Sequence, residues 1–124
     1  EFNYLNKHYN ETKIGKYHQN IGLNMCTVSW GHDEFMYHVL KQNKNTIPEE
    51  GYYIVRYHSL YLWHDKNEYL YLESNKDKVM KPWVQKFNKY DLYTKVNLET
   101  DIDKLKYYYS KLVIKFFGTE ELLW

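Results

Sequence analysis

The sequence has one cysteine, two prolines and five glycines, and it lacks several patterns on which whole classes of protein depend. The single Cys26 cannot form an intrachain disulfide, which favours a reducing compartment, and we expect the cytoplasm. A membrane-spanning helix needs ~20 apolar residues and a signal peptide needs a basic segment before its apolar one, and neither pattern occurs. A Gly-rich phosphate loop, a Cys-X-X-Cys pair and a nucleophile elbow are also missing. We therefore expect a soluble protein outside those enzyme classes.

Neither sign of charge is in excess. The basic side chains number 17 and the acidic ones 16, giving a formal net charge of +1, and both signs are spread along the 124 residues. This distribution gives no reason to expect nucleic acid or a membrane as a partner. The length suits one domain with a single core. Because the chain begins with Glu1 rather than Met, we expect it to be processed or truncated, and a longer parent protein that supplies missing pieces stays open.

Four helices are predicted from capping residues and from apolar residues at helical spacing. Residues 1–20 are expected to be mostly loop, residues 63–67 a turn, and residues 69–72 a short helical or irregular piece. The predicted fold class is therefore all-α. The helices are expected from Ser29 to about Asn43, from Thr46 to Leu62, from Pro82 to Lys95, and from Thr100 to Gly118.

Each of the first three predicted helices carries a polar residue on the face that its apolar residues define. His32 lies three and four positions before Phe35 and Met36, which continue into Val39 and Leu40. His58 lies between Ile54, Val55 and Leu62, and Asp91 follows Val84 and Phe87. The helical period thus predicts that His32, His58 and Asp91 face the interior, where an unpaired polar group costs free energy. The last helix is expected to bury a continuous apolar stripe from Ile102 to Phe116.

An inward histidine taken alone is more often a core residue bonded to a backbone carbonyl than a metal ligand. His8, His18, His38 and His64 are given that interpretation, or simple exposure. His32 and His58 differ because a third helix brings Asp91 to the same interior, and helical bundles build iron or manganese sites from such sets. The combination favours a metal site.

Three residues close in sequence to the candidate ligands have two interpretations each. Lys95, one turn beyond Asp91, would either stabilise a substrate alkoxide or extend to solvent. Ser59 would hydrogen-bond either a polyol hydroxyl or its own helix backbone. The His32-Asp33 dipeptide imitates the signature of histidine-aspartate metallohydrolases, but adjacent residues diverge by about 100° on a helix. We therefore interpret Asp33 as a first-turn residue that complements the helix dipole.

Three segments resemble the myo-inositol oxygenase family, a group of di-iron enzymes in the histidine-aspartate domain superfamily. The resemblance extends from about Asn3 to Trp124 and keeps the order and spacing of the family segments. The segments are Ser29-Trp30-Gly31-His32-Asp33-Glu34, the His58-Ser59 pair followed by Trp63-His64, and Pro82-Trp83-Val84 leading to Asn88-Lys89-Tyr90-Asp91-Leu92-Tyr93-Thr94-Lys95.

The resemblance implies a partial histidine-aspartate-domain-like helical bundle. It implies that His32 and His58 bind one iron, that Asp91 binds a second, and that Lys95 and Ser59 contact the substrate. The implied reaction is cleavage of the myo-inositol ring by O2 to give D-glucuronate. The family also uses an upstream His, an upstream His-Asp pair and a further lysine that this chain lacks. We therefore expect the 124 residues to be a C-terminal portion, inactive without the N-terminal half of the enzyme.

Two other functions are retained as hypotheses. A metal-dependent phosphohydrolase of the same superfamily is suggested by the His32-Asp33 pair. A non-catalytic helical interaction module is suggested by an aromatic content of 19% and by apolar surface that missing helices would expose.

Overall fold

The computed structural model describes residues 14–91 and 101–124, and this part of the chain contains helices and no strand. Helix α2 packs against both α1 and α4, and the short α3 packs against α4. The predicted all-α class is confirmed. None of the helices in the described part is long and apolar enough to cross a bilayer. The helices are α1 (His32–Gln42), α2 (Glu49–Tyr57), α3 (Tyr61–His64), α4 (Asn75–Asp91) and α5 (Ile102–Phe117), with 3-10 turns at Leu23–Met25 and Leu70–Leu72.

The core lies between α2 and α4. Tyr53 and Tyr57, four residues apart on α2, belong to one buried cluster with Met80 and Val84, four residues apart on α4. Trp63 of α3 completes this layer: it is fully buried, and its ring centroid lies 5.8 Å from that of Tyr57. Ile54 and Val55, which were expected in the core, are only half-buried because the tyrosines take the inward face of α2. The cluster fixes how α2 and α3 sit on α4.

Helix α4 begins at Asn75 and not at Pro82 as predicted, and Pro82 lies inside the helix. The reason is the capping arrangement at its start, in which Ser74 precedes the helix and Asp77 lies in its first turn. The fully buried Asp77 accepts hydrogen bonds from the Ser74 backbone N–H at 2.7 Å and from the Tyr53 hydroxyl at 2.8 Å. It also accepts from the N–H of Leu23 at 3.1 Å. These bonds start the helix one turn and more upstream, and the packing of Met80 and Val84 offsets the backbone bond that Pro82 cannot make.

The predicted second helix is broken. Helix α2 ends at Tyr57, His58 caps it, and Leu60 takes φ −82° and ψ 58° before α3 begins. The bend brings the indole N–H of Trp63 within 2.7 Å of a Glu73 carboxylate oxygen. The first two residues of the turn expected at 63–67 therefore belong to α3 and are buried. His64 is a core histidine, one of the two alternatives stated for it.

Helix α5 begins and ends as its capping residues require but buries nothing. The Asp101 side chain accepts the N–H of Lys104 at 3.1 Å, and Gly118, at φ 72°, ends the helix as predicted. The expected buried stripe is wrong, because no α5 residue is buried. One backbone bond attaches its C-terminal end to the α1–α2 connection, where the N–H of Thr46 donates to the Phe116 carbonyl at 2.8 Å. An apolar helix face is left exposed.

Candidate metal centre

Two imidazoles meet where α1 begins and α2 ends. The Nε2 atoms of His32 and His58 lie 3.1 Å apart, with ring centroids 5.1 Å apart and planes at 71°. His32 is the first residue of α1, and His58 caps α2. The contact therefore depends on how these two helices pack against each other. The structure brings together the two histidines that the sequence predicted as ligands.

The His58 ring is oriented by its own helix. Its Nδ1 lies 2.9 Å from the Val55 carbonyl and 3.2 Å from that of Ile54. A carbonyl only accepts, so Nδ1 carries the hydrogen and the neutral ring has its lone pair on Nε2. The Phe87 ring packs against the imidazole with centroids 6.0 Å apart. A backbone acceptor behind the ring is the usual outer partner of a metal-bound histidine.

The spacing of the two nitrogens suits a shared metal ion. First-row metals bind imidazole nitrogen at ~2.1 Å, so two such ligands at right angles place their nitrogens about 3 Å apart. The separation in this chain is 3.1 Å. Imidazole ligands suit iron and zinc among other ions. In residues 14–91 and 101–124, no group of three or more His, Cys, Asp or Glu residues is placed to hold a metal. The pair fits part of a metal site.

Asp91 does not join the pair in the described part of the chain. It is exposed in the last turn of α4, and its Oδ2 accepts the Tyr61 hydroxyl at 3.1 Å. This hydrogen bond, together with slight burial and the carboxylate charge, raises the pKa of the Tyr61 phenol. Lys95 lies in residues 92–100, outside the described residues, so its predicted catalytic and substrate-binding roles stay predictions.

Asp33 and Ser59 are paired with each other. The Ser59 hydroxyl donates to Oδ2 of Asp33, and the N–H of Glu34 donates to Oδ1 at 2.9 Å. Partial burial would raise the pKa of this carboxyl, but the two hydrogen bonds outweigh burial and hold the pKa below its usual range. Asp33 is a first-turn residue of α1, as predicted. Both carboxylate oxygens are engaged away from the histidine pair.

A buried ion pair fixes α1 against α2 beside the histidines. Arg56, the only arginine, donates from Nε and Nη2 to the two carboxylate oxygens of Glu34 at 2.7 and 2.8 Å. Both side chains are at most 10% exposed. Burial would lower the pKa of Arg56, but the bond to Glu34 outweighs it and the pKa is raised. Bidentate geometry of this kind is directional, so it sets the register of the two helices.

The prediction that the three ligands face the core is wrong for two of them. His32 and Asp91 are exposed, and His58 is half-buried. On α1 the interior is occupied by Glu34, Val39 and Leu40, and Glu34 tolerates burial because Arg56 pairs with it. Periodicity alone could not show this, because it treats a carboxylate as solvent-facing. Phe35, expected in the core, is exposed instead.

A cleft of about 310 Å³ opens beside the pair. Its walls include His32, Asp33, Ser59, Arg56 and Tyr57. Ligand pockets commonly start at about 300 Å³, so the cleft has room for a small polar molecule.

Comparison with known proteins gives one consistent result. A model of a family described as myo-inositol oxygenase matches residues 2–124. Inositol oxygenase from Danio rerio is 50% identical over 105 residues, which are 85% of this chain and 38% of that protein. The Dictyostelium discoideum enzyme is 44% identical over 124 residues, 97% of this chain and 42% of its own length. The Homo sapiens enzyme is 48% identical over 105 residues, 85% and 37% respectively. The chain spans about two fifths of the length of these relatives.

Proposed function

Because this chain belongs to the myo-inositol oxygenase family, we propose that it supplies part of the catalytic centre of an inositol oxygenase. This oxidoreductase would cleave the ring of myo-inositol with O2 to give D-glucuronate. The observation that carries the proposal is the 3.1 Å separation of the His32 and His58 Nε2 atoms, which suits two ligands of one metal ion.

The proposed cofactor is iron, two ions in the complete site. His32 and His58 would hold one ion through Nε2, and Asp91 would hold the other. When bound, iron supplies Lewis-acid polarisation of substrate oxygens and redox chemistry with O2. The bond from His58 Nδ1 to the Val55 carbonyl supports this assignment, because it leaves the lone pair on Nε2, the atom that now contacts Nε2 of His32 and would turn to a metal ion. The Tyr61 hydroxyl donates to Oδ2 of Asp91, and Oδ1 would bind the ion.

Ser59 and Lys95 are proposed to contact the substrate. The Ser59 hydroxyl donates a hydrogen bond to Asp33, so the Ser59 oxygen would accept a hydrogen bond from a polyol hydroxyl in the adjoining cleft. The Lys95 ammonium would favour the deprotonated form of a substrate alcohol and hold its oxygen in place. Asp33 would keep the Ser59 hydroxyl in one orientation.

The proposed partner is the N-terminal half of the same enzyme. The relatives carry more than half of their length outside the matched segment, since the match covers 37 to 42% of them. The α5 face exposes Ile102 (74%), Val113 (54%) and Ile114 (56%), which is large apolar exposure for one helix. We propose that the upstream helices cover this face and add the missing iron ligands. We also propose a cytoplasmic location, which the single Cys26 supports.

The phosphohydrolase hypothesis receives no support from the geometry, because both oxygens of Asp33 are engaged by Ser59 and the Glu34 N–H. The interaction-module hypothesis relies on the same exposed α5 face. It differs from the proposal in one respect: a module would bind the upstream helices without giving a catalyst.

A chimaera tests the proposal. The 124 residues would replace the matching segment of the Dictyostelium discoideum enzyme, which aligns over 97% of this chain. The chimaera should form D-glucuronate from myo-inositol with Fe²⁺ and O2. His58→Ala should abolish turnover, whereas His18→Ala, an exposed histidine that contacts the neighbouring Gln19 carbonyl, should leave it largely intact. A folded chimaera without turnover, or one that keeps turnover with His58→Ala, would contradict the proposal.

A further inference from the structure

The buried His64 forms a bond that the proposed metal site does not yet explain. This residue is only 1% exposed, and its Nε2 lies 2.8 Å from the carbonyl oxygen of His58. Because a carbonyl only accepts, Nε2 is the donor. Its Nδ1 has no hydrogen-bond partner among the described residues. Within residues 14–91 and 101–124, the one hydrogen bond of the imidazole is therefore the bond to the His58 carbonyl.

The accepting carbonyl lies where α2 ends. The last carbonyls of a helix have no partner within it, so the peptide between His58 and Ser59 is free to turn unless another group holds it. His64, six residues further along the chain in α3, supplies that group. The peptide plane carries His58 on one side and Ser59 on the other, so one bond restrains both residues.

His64 is itself firmly placed. Its backbone carbonyl accepts the side-chain amide of Gln85 on α4 at 2.6 Å. Its neighbour Trp63 is fully buried and bonded to Glu73. A continuous series of contacts thus runs from α4 through His64 to the end of α2.

We propose that His64 is a positioning residue that fixes the His58–Ser59 peptide and thereby aims the His58 Nε2 at the metal. The inference rests on the proposed function. At the other end of the ring, Nδ1 of His58 is held by the Val55 carbonyl at 2.9 Å. With the main chain and the ring both fixed, Nε2 has one direction, towards His32.

The test uses the 124-residue chain with ¹⁵N-labelled histidine. Three variants are compared: His64→Leu removes the donor, His64→Gln keeps an amide donor near the Nε2 position, and Tyr53→Phe removes a buried bond to Asp77 that does not touch His58. The first readout needs no metal: it is the exchange rate of the His58 Nδ1–H signal. The second is a Zn²⁺ titration that follows the ring signals of His32 and His58.

We expect His64→Leu to speed exchange of the His58 Nδ1–H at least tenfold and to weaken Zn²⁺ binding about tenfold or more, the usual effect of losing an outer partner. His64→Gln should restore most of the slow exchange and most of the Zn²⁺ affinity. Tyr53→Phe should leave the exchange rate and the Zn²⁺ affinity unchanged, although it lowers the stability of the chain. Unchanged exchange in a folded His64→Leu chain, no rescue by His64→Gln, or an equal effect of Tyr53→Phe would overturn the inference. A failure of the proposed metal site gives a different result. The ring signals of His32 and His58 would then not respond together to Zn²⁺. The exchange rate of the His58 Nδ1–H would still decide the role of His64.

Discussion

The Nε2 atoms of His32 and His58 lie 3.1 Å apart although 26 positions separate the residues in the sequence. Neither histidine is buried deeply enough for the core to hold it there. Their separation is set by the polar contacts that join α1 to α2, chiefly Arg56 with Glu34 and Ser59 with Asp33. The contribution of these contacts to the free energy of unfolding should therefore be measurable without a metal ion.

Arg56→Lys should lower the free energy of unfolding by about 1.5–3 kcal/mol, the range for hydrogen bonds to charged groups. A lysine keeps the charge but cannot reproduce two parallel hydrogen bonds to Glu34, which is only 6% exposed. Urea denaturation followed by circular dichroism measures the change.

The matched control is Lys76→Ala, which removes an ion pair with Glu49 in which both side chains are more than half exposed. An exposed pair contributes about 0–1 kcal/mol. A loss from Arg56→Lys no larger than that from Lys76→Ala would show that the buried pair does not fix the two helices.

Ser59→Ala should cost about 1 kcal/mol of stability, because it removes a hydrogen bond that joins the end of α2 to the start of α1. Ser29→Ala, an exposed serine on the same cleft, serves as control and should change stability by less than about 0.5 kcal/mol. Equal midpoints for the two variants in a denaturation series would contradict the assignment of this bond.

Stability should fall in alkaline solution in a way that depends on Tyr53. Burial, together with the hydrogen bond to Asp77, raises the pKa of this phenol in the folded chain. The unfolded chain therefore loses the proton first, so the contribution is complete below about pH 10 and is lost as the pH rises above it. In Tyr53→Phe the decline in unfolding free energy between about pH 9 and 11 should be shallower than in the parent chain.

Tyr107→Phe provides the comparison for that series, because Tyr107 is 66% exposed. The decline in unfolding free energy with pH should be shallower in Tyr53→Phe than in this variant. A Tyr53→Phe profile with the parent slope would mean that this phenol titrates alike in both states.

Capping chemistry and apolar spacing were enough to predict the all-α class, the extent of α1 to within a few residues, and the end of α5 at Gly118. The start of α4 was missed because Asp77, the first-turn residue that pairs with Ser74, is held by bonds from Tyr53 and Leu23, which are distant in sequence. The break after Tyr57 was missed because Trp63 and Glu73 meet only once the chain has turned.

The histidine pair was predictable, and its surroundings were not. Spacing and the family segments identified His32 and His58 as a pair, but the helical period wrongly placed His32 in the core. The partner of Ser59 and the burial of Glu34 both depend on contacts between helices, which local pattern does not contain. His64 carried a weak signal, a histidine directly after a tryptophan in an apolar segment, and only the structure gives it a partner.

The most direct test of the central claim, that His32 and His58 bind the same metal ion, is an anaerobic Fe²⁺ titration of a double-mutant cycle. Four chains are compared by calorimetry: the parent, His32→Ala, His58→Ala and the double variant, with His18→Ala as a control for an exposed histidine outside the pair. If both rings hold one ion, each single substitution should weaken Fe²⁺ binding at least tenfold, and the double substitution should weaken it little further. Single substitutions that leave Fe²⁺ binding unchanged, or losses that simply add in the double variant, would contradict the shared site.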